Sequence, residues 1–251
     1  MAMSPEGQDL LSEGQGLSSE GQIGPDVTAS AGIVALVGGA EFGPGCDFDA
    51  ELAAVGGSEV VVLPTAAAYE NPGRAVDTAR KWFAQFGVAV NGLMVLARSE
   101  AEDPGVAEVV RSARFIYLTG GSPLHLRSVL KATPTWQALM EAWRSGAVVA
   151  GSSAGAMVLT DPMVDPRGGA FTLGLGLIEQ LAIIPHFAAF SEERRHRTLN
   201  LASRGLPVVG IDEATALIRE SDGTWKARGA GQVQVFVDGE RAGLEVLQRS
   251  D

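Results

Sequence analysis

The chain has 251 residues, with 30 acidic against 19 basic side chains and a formal net charge of −11. This length suits one large α/β domain, and the acidic balance argues against nucleic acid or an anionic membrane surface as the main partner. Cys46 is the single cysteine, so no intrachain disulfide is possible, and the sequence has no Cys/His cluster of the kind that binds zinc. We expect a cytoplasmic protein, because the first residues lack the pattern of a signal peptide and no apolar run is long enough to span a membrane.

Strand-like and helix-like segments alternate along most of the chain. Residues 1–30 are rich in Gly, Ser, Glu and Gln and are predicted to be a disordered tail, whereas residues 31–251 are predicted to form a single domain. The predicted strands cover residues 33–38, 59–65, 92–97, 114–119, 147–152 and 182–187. The predicted helices cover residues 47–55, 72–86, 104–112, 122–131, 134–145, 153–160 and 190–203.

The order and composition of these segments predict the fold class. The strands are apolar almost throughout, which is typical of strands buried on both faces. Strands that alternate with helices indicate a three-layer α/β fold, with a mostly parallel, doubly wound sheet and helices on both faces. The runs 207–213 and 214–220, followed by Asp238-Gly239 between two further strand-like runs, predict a C-terminal antiparallel hairpin extension at one sheet edge. We interpret that extension as structural rather than catalytic.

The stretch GSSAGAM follows the fifth predicted strand and raises the question of a serine nucleophile. Residues 151–155 fit the pattern G-x-S-x-G with Ser153 at its centre. This pattern describes a nucleophile elbow, in which small neighbours allow a tight turn that exposes the serine hydroxyl. A tight packing turn is the alternative, because such patterns are common in a chain with 32 glycines. A catalytic serine would also need a base nearby.

The chain has three histidines, and one of them ends a predicted strand. His186 ends the run 182–187, and carboxyl ends of parallel strands meet at one edge of a sheet. His125 and His196 lie within predicted helices and are expected to be solvated or supporting residues. His186 is therefore the candidate base for Ser153.

A third group should orient the base. The acids between Ser153 and His186 are the candidates considered for this role. Asp165 is favoured because it lies in an irregular stretch long enough to reach the site, and Asp161 and Glu179 are the alternatives. Backbone amides are needed for an oxyanion, and Ala154, together with the Gly120-Gly121 pair after the fourth strand, can supply them.

Several motifs in a fixed order then resemble the peptidase E and cyanophycinase family of serine exopeptidases, whose fold is akin to that of class I glutamine amidotransferases. The resemblance extends from about Ile33 to Val237. It is carried by VGGAE, LTGGSPLHL, AGSSAGAMVL, GLGL followed by PHF, the helix with R-x-x-R-T-L, and GIDEATAL with the strand after it.

The resemblance implies a set of roles for this chain. Ser153 is the nucleophile, His186 is the base, and Gly121 and Ala154 are the oxyanion donors. The residues implied to contact the substrate are Gly120, Ser122, Arg194 and Arg197. The substrate is expected to be a small peptide with an acidic residue, because family members act on aspartyl units and hold the carboxylate with arginine. The resemblance implies no metal or other cofactor. It does imply a homodimer.

Two departures from the family affect the substrate and the triad. Ser122-Pro123 stands where cyanophycinases carry an Asn-Gln pair, which weakens the case for cyanophycin itself as the substrate. The interval from Ser153 to His186 is short, so the acid cannot be placed by counting.

Other classes remain open at this point. They are cyanophycinase-type hydrolysis of β-Asp-Arg units, an α/β-hydrolase esterase, a cysteine-dependent amidotransferase-like domain, and a non-catalytic binding module with the same fold.

Overall fold

The computed structural model describes residues 31–167 and 169–249, so the predicted tail at 1–30 lies outside the described residues. The strands are β1 Val34–Val37, β2 Glu59–Leu63, β3 Ala89–Gly92, β4 Phe115–Leu118, β5 Val148–Ser152, β6 Thr160–Asp161, β7 Met163–Val164, β8 Phe171–Thr172, β9 Ile178–Glu179, β10 Ala182–Ile184, β11 Val208–Ile211, β12 Thr215–Arg219, β13 Trp225–Gly229, β14 Val233–Val237 and β15 Glu240–Ala242. The α-helices are α1 Phe48–Gly56, α2 Pro72–Phe83, α3 Arg98–Ala101, α4 Pro104–Ser112, α5 Pro123–Leu130, α6 Pro134–Arg144, α7 Ala154–Leu159 and α8 Glu192–Leu201. Short 3-10 helices cover Thr65–Ala67, Ala84–Phe86, Phe187–Ala189 and Leu244–Arg249.

The main sheet has seven strands in the order β13-β12-β1-β5-β4-β2-β3. Strands β1, β5, β4, β2 and β3 run parallel, whereas β12 and β13 are antiparallel at one edge. The mostly parallel α/β sheet is therefore confirmed. Parallel neighbours bring the carboxyl ends of β1, β5 and β4 side by side, which is where ligands bind in open sheets of this kind.

Alternate side chains of the central strands divide the apolar core into two layers. Val34 and Leu36 of β1 pack into a core that α4, α5, α6 and α7 complete. Ala35 and Val37 point to the other face, where α1 and α2 close the second core. Period-two alternation in a strand that is apolar at every position produces this arrangement, because both faces of the sheet are covered.

A smaller sheet accounts for two differences from the predicted fold. Strand β10 ends at Ile184, short of the predicted 187, and pairs with β11 in a four-stranded sheet of order β10-β11-β14-β15. The C-terminal extension is divided, since β12 and β13 join the main sheet while β14 and β15 form the hairpin around Asp238-Gly239 in the smaller one. The strands that the sequence predicts for one sheet are therefore divided between two sheets.

The predicted strand at 92–97 is also misplaced. The edge strand is β3, which pairs with β2 from Ala89 to Gly92 and is only partly buried. Beyond Gly92 the chain turns away, and the Glu100 carboxylate accepts the N–H groups of Leu96 and Ala97 at the start of α3. The apolar run after Gly92 is therefore a loop in which Val95 is buried, and the less apolar segment Ala89–Gly92 forms the strand.

Helix boundaries follow the local signals more closely. Asn71 caps α2 by accepting the N–H of Arg74, and Asp103 caps α4 by accepting the N–H of Gly105, each with proline as the first helical residue. In the part of the chain that the structure describes, no helix is long and apolar enough to cross a membrane.

One acidic side chain lies entirely inside the second core. Asp49 of α1 is fully buried, and its Oδ2 accepts the indole N–H of Trp82 at 2.9 Å. Burial raises the pKa of Asp49 to about 7, with a smaller contribution from the charge of Glu41. The folded protein therefore keeps a proton on this carboxyl at pH values where the unfolded chain has released it.

This buried carboxyl predicts a pH-dependent stability. An unfolded aspartate releases its proton near pH ~4, so stability should fall as pH rises from there towards about 7, where the folded group also ionises. Asp49→Asn keeps an acceptor for Trp82 and should lose this component. We expect the free energy of unfolding of the wild type, relative to Asp49→Asn, to decrease across that window in urea titrations. The exposed Asp47→Asn in the same segment serves as the control, and parallel curves for wild type and Asp49→Asn would contradict the assignment.

Candidate active site

Ser153 occupies a sharp turn between β5 and α7. Its backbone has φ 47° and ψ −104°, a region that residues with a side chain rarely adopt and that commonly marks functional sites. A Cβ added at Gly151 would lie 2.6 Å from the carbonyl carbon of Gly155, and one added at Gly155 would lie 2.4 Å from the oxygen of Leu118. Small residues are therefore required on both sides of Ser153, as in a nucleophile elbow. The adjacent Ser152 is fully buried at the end of β5.

His186 faces Ser153 from the smaller sheet. Its Nε2 lies 3.0 Å from the Oγ of Ser153. The residue follows β10 in a left-handed conformation, and its N–H donates to the carbonyl of Gly38 at 2.8 Å. The imidazole ring packs on Gly39, where an added Cβ would lie 2.2 Å from Cε1. The predicted pair of Ser153 and His186 is thus in contact, although the histidine comes from the second sheet and not from the main one.

Glu213 completes the hydrogen-bonded row. Its Oε1 lies 2.7 Å from the Nδ1 of His186. The residue sits between β11 and β12, and the next residue, Ala214, donates its N–H to the carbonyl of Gly39 at 2.8 Å. More than half of the Glu213 side chain is exposed, at 58%. A carboxylate on Nδ1 fixes the tautomer that leaves Nε2 free to accept a proton from serine.

The predicted acids do not occupy this position, so the assignment of Asp165 is corrected. Asp165 lies after β7, and both of its oxygens are engaged by the Arg167 guanidinium, at 3.0 and 2.6 Å. The hydrogen bonds from Arg167 lower the pKa of Asp165 to about 2. Asp161 accepts the N–H of Gly174 at 2.8 Å, and Glu179 is exposed on β9. Asp165 and Asp161 thus serve the local structure of the segment between α7 and β10.

Glu213 was missed because only the acids between Ser153 and His186 were considered. The signal was present, since Asp212-Glu213 directly follows the apolar run 208–211 and stands inside one of the motifs that carry the family resemblance. An acid at the carboxyl end of a strand is placed like His186 at the end of β10, and β10 and β11 are parallel neighbours.

Two backbone amides beside Ser153 are available for a ligand. Within residues 31–167 and 169–249, the N–H groups of Gly121 and Ala154 donate no hydrogen bond. Ala154 is the first residue of α7, so its amide also lies at the positive end of a helix. Gly121 has φ 132°, and an added Cβ there would lie 2.3 Å from the carbonyl oxygen of Ala66. Both predicted oxyanion donors are thus free to donate.

Two of the predicted substrate contacts, Gly120 and Ser122, already form hydrogen bonds within the protein. The Gly120 N–H donates to Glu41 at 2.9 Å, so this amide is occupied, and contact between Gly120 and a substrate stays a prediction. The Ser122 hydroxyl caps α5 by accepting the N–H of His125. Gly120 is therefore bonded to the loop after β1, and Ser122 to the first turn of α5.

The arginines of α8 differ in their partners. Arg197 pairs with Glu193 at 2.9 Å on an exposed helix face, and Arg195 lies over the ring of Phe187 and within 3.5 Å of Glu192. Arg194 is exposed, and no ion pair with another described side chain is found for it. Of the two arginines implied by the resemblance, Arg194 has the guanidinium that is free for a ligand.

The remaining nucleophilic and basic candidates lie elsewhere. Cys46 is fully buried, and burial raises the pKa of its thiol to about 11, which argues against a cysteine-dependent reaction. His125 contacts the carbonyl of Leu96, and His196 contacts Asn200. Among the described residues, no cluster of His, Cys, Asp and Glu could hold a metal ion.

The fold and this site together define a class of protein. A serine on a strained strand-to-helix turn, a histidine on its hydroxyl, an acid on the far ring nitrogen and free amides beside them form the arrangement that α/β hydrolytic enzymes use for acyl transfer.

Comparison with known proteins identifies the family. The model of peptidase family S51 matches residues 47–226. The chain therefore belongs to peptidase family S51, and the resemblance inferred from its motifs is confirmed.

Proteins similar to this chain include cyanophycinases and peptidases. Cyanophycinase from Synechococcus elongatus is 28% identical over 191 residues, which is 72% of this chain and 59% of that protein. The uncharacterized peptidase PM1590 of Pasteurella multocida is 28% identical over 171 residues, 63% of this chain and 80% of the relative. The crystal structure of a peptidase from an acI-B1 Actinobacterium is 32% identical, with a TM-score of 0.77 and coverage of 85% of this chain and 94% of that one. The putative peptidase E of Listeria monocytogenes EGD-e, at 19% identity and a TM-score of 0.59, covers 82% of this chain and 98% of its own and supports the fold.

The close packing of His186 on Gly39 generates a test of the site geometry. Gly39→Ala should displace the imidazole, because the new Cβ would overlap the ring and the residue has φ 121°. In proton–carbon NMR spectra, the ring resonances of His186 should move, while those of His125 and His196 stay in place. An unchanged His186 signal in a folded Gly39→Ala protein would contradict this packing.

Proposed function

We propose that the protein is a serine peptidase that hydrolyses an amide bond of small aspartyl peptides through an acyl-enzyme. The observation that carries this proposal is the hydrogen-bonded row of Ser153, His186 and Glu213 beside two free amides. Serine at neutral pH is a poor nucleophile without an adjacent base, and this row supplies one. Membership of a peptidase family supports an amide as the bond that is cleaved.

The proposed reaction begins with attack of the Ser153 hydroxyl on the substrate carbonyl. His186 accepts the hydroxyl proton at Nε2, while Glu213 holds the Nδ1 proton and stabilises the imidazolium. The carbonyl oxygen becomes an oxyanion between the amides of Gly121 and Ala154. His186 then donates its proton to the leaving amine. Water, activated by the same imidazole, releases the acyl group and restores Ser153.

Arg194 is the proposed contact for the acidic group of the substrate. Helix α8 begins shortly after the turn that carries His186, so its first turn is close in sequence to the catalytic base. A guanidinium binds a carboxylate with two parallel hydrogen bonds. Arg197 is the less favoured contact because Glu193 already occupies it.

Cyanophycinase-type hydrolysis of β-Asp-Arg units is the second candidate. The similarity to cyanophycinases over 72% of this chain favours it. Against it, Ser122 caps α5 at the position where the family resemblance expects an Asn-Gln pair. A screen of Asp-X dipeptides, β-Asp-Arg and neutral dipeptides decides between the two, because each candidate predicts a different preferred substrate.

The nucleophile and its acid can be tested together. A fluorophosphonate should label the wild type but not Ser153→Ala, because the reagent reacts with an activated serine. Glu213→Gln should lower kcat by at least about 100-fold, since it leaves the imidazole without its orienting charge. Asp165→Asn is the control and should stay within a few-fold of wild type. Equal labelling of wild type and Ser153→Ala would mean that Ser153 is not the activated nucleophile and would contradict the proposed function.

The acidic preference is tested on α8. Arg194→Ala should lower kcat/KM for Asp-X dipeptides by about 10- to 100-fold, the cost of a lost charge-assisted hydrogen bond, and leave neutral dipeptides little changed. Arg204→Ala, which removes an exposed positive charge just beyond the same helix, is the matched control. An equal loss on acidic and neutral substrates in Arg194→Ala would remove the arginine from the substrate site.

A further inference from the structure

The carboxylate of Glu41 links three neighbouring strand ends of the main sheet. Glu41 follows β1, and its Oε2 accepts the hydroxyl of Ser152 at the end of β5, at 2.8 Å. Its Oε1 accepts the N–H of Gly120 after β4, at 2.9 Å. Strands β1, β5 and β4 are adjacent in the sheet, so one side chain connects the three strand ends around Ser153.

The Gly120-Gly121 loop is fixed on both sides of the peptide that carries the Gly121 amide. On the amino side, Glu41 holds the N–H of Gly120. On the carboxyl side, the N–H of Ser122 donates to the carbonyl of Ala66 at 2.8 Å. Between these two anchors, the N–H of Gly121 is left without a partner among the described residues. Two successive glycines have wide backbone freedom, so an unanchored loop would sample many orientations of this amide.

The same carboxylate is close to the nucleophile. A Cβ added at Gly120 would lie 3.2 Å from Glu41 Oε1 and 3.6 Å from the Cβ of Ser153. Gly120 therefore lies between Glu41 and Ser153. A shift of the Gly120-Gly121 loop would change the position of its backbone relative to the serine side chain. The row of Ser153, His186 and Glu213 does not use Glu41, since His186 takes Glu213 as its acid.

We propose that Glu41 is a positioning residue that aims the Gly121 amide at the oxyanion. The inference rests on the proposed function, because an oxyanion exists only if Ser153 attacks a carbonyl. Glu41 acts through Gly120 and does not touch the substrate. Its role is geometric, because a negative charge beside a developing oxyanion is unfavourable in itself. A side chain of the same length that accepts from Gly120 and bonds Ser152 should therefore serve as well.

Glutamine meets this requirement without the charge. Its amide oxygen can accept the N–H of Gly120, and its amide NH₂ can donate to the Ser152 hydroxyl, which then acts as acceptor. Alanine removes both bonds. The pair Glu41→Ala and Glu41→Gln thus separates the geometry of the loop from the charge of the carboxylate.

The effect is expected in kcat and not in KM. An oxyanion donor binds the transition state and not the ground state, so its misalignment slows the reaction without weakening substrate binding. We expect Glu41→Ala to lower kcat by about 10- to 100-fold, part of the loss seen when an oxyanion donor is removed, with KM changed by less than about threefold. Glu41→Gln should recover most of that loss. Ser152→Ala removes one of the two bonds and should show a smaller decrease in kcat.

The alternative is that Glu41 binds a cationic group of the substrate. Glu41 and Glu70 both line a cavity of about 510 Å³ next to Gly120, which an ammonium group could enter. In that case Glu41→Gln would raise KM for substrates with a free amino group and fail to rescue Glu41→Ala. That result would overturn the positioning role.

Steady-state kinetics on the best dipeptide from the screen, with thermal unfolding of each variant, completes the test. Glu70→Gln, which changes an exposed acid of the same cavity, is the matched control and should leave kcat and KM unchanged. Wild-type kcat in folded Glu41→Ala would overturn the inference while the proposed function stands. Absence of Ser153-dependent labelling in the wild type would instead remove the proposed function. If Glu41→Ala fails to fold, Glu41→Gln and Ser152→Ala still decide. A raised KM in Glu41→Gln, or an unchanged kcat in Ser152→Ala, contradicts the proposal.

Discussion

The four residues that follow β1 hold the site together. Gly38 accepts the N–H of His186, and Gly39 accepts the N–H of Ala214, next to Glu213. Gly39 also provides the surface on which the imidazole packs, and Glu41 reaches across to Gly120 and Ser152. The loop therefore contacts all three parts of the site, namely the nucleophile strand, the oxyanion loop, and the segment that bears the histidine and its acid. A glycine pair is needed because the carbonyl oxygen of Asp212 leaves no room for a Cβ at Gly38, and the ring of His186 leaves none at Gly39.

The second sheet explains how two distant residues come to lie on one serine. Strands β10 and β11 are parallel neighbours, with Ile184 opposite Gly210. His186 leaves the end of β10 and Glu213 follows the end of β11, so the two side chains emerge at the same edge of the smaller sheet. Parallel pairing thus places base and acid together, and the loop after β1 attaches that edge to the carboxyl edge of the main sheet. The reactive row is built across two sheets, with the serine on one and its partners on the other.

This construction determines what the sequence could reveal. Ser153 could be predicted because a tight turn between small residues is a local feature, and His186 because few histidines compete with it. The acid could not be found by searching between them, since Glu213 lies further along the chain and is brought back by the pairing of β10 with β11. Asp165 is favoured in the sequence by an irregular stretch long enough to reach the site, but in the structure its carboxylate is paired with Arg167.

The same distinction applies to the fold: features set by neighbouring residues could be predicted, and features set by distant contacts could not. Proline and polar caps fix the starts of α2 and α4, so these boundaries agree with the sequence. The edge strand β3 does not, because its position is set by pairing with β2 and not by its own apolar content. The extension after residue 207 was expected to be structural, yet it supplies Glu213. The strands on either side of Glu213, β11 and β12, join different sheets, and the residue between them places its carboxylate on His186.

The net negative charge of the protein is unfavourable for binding an acidic substrate. A net charge of −11 repels an acidic peptide at long range, and Glu41 and Glu213 add negative charge at the site itself. The proposed binding of an acidic substrate therefore requires a positively charged side chain to offset this repulsion. Helix α8 has three arginines in its first two turns, and its own glutamates neutralise Arg195 and Arg197. Because ion pairs at i,i+3 and i,i+4 hold those two, the specificity proposed for this peptidase depends on Arg194, whose charge no described side chain offsets.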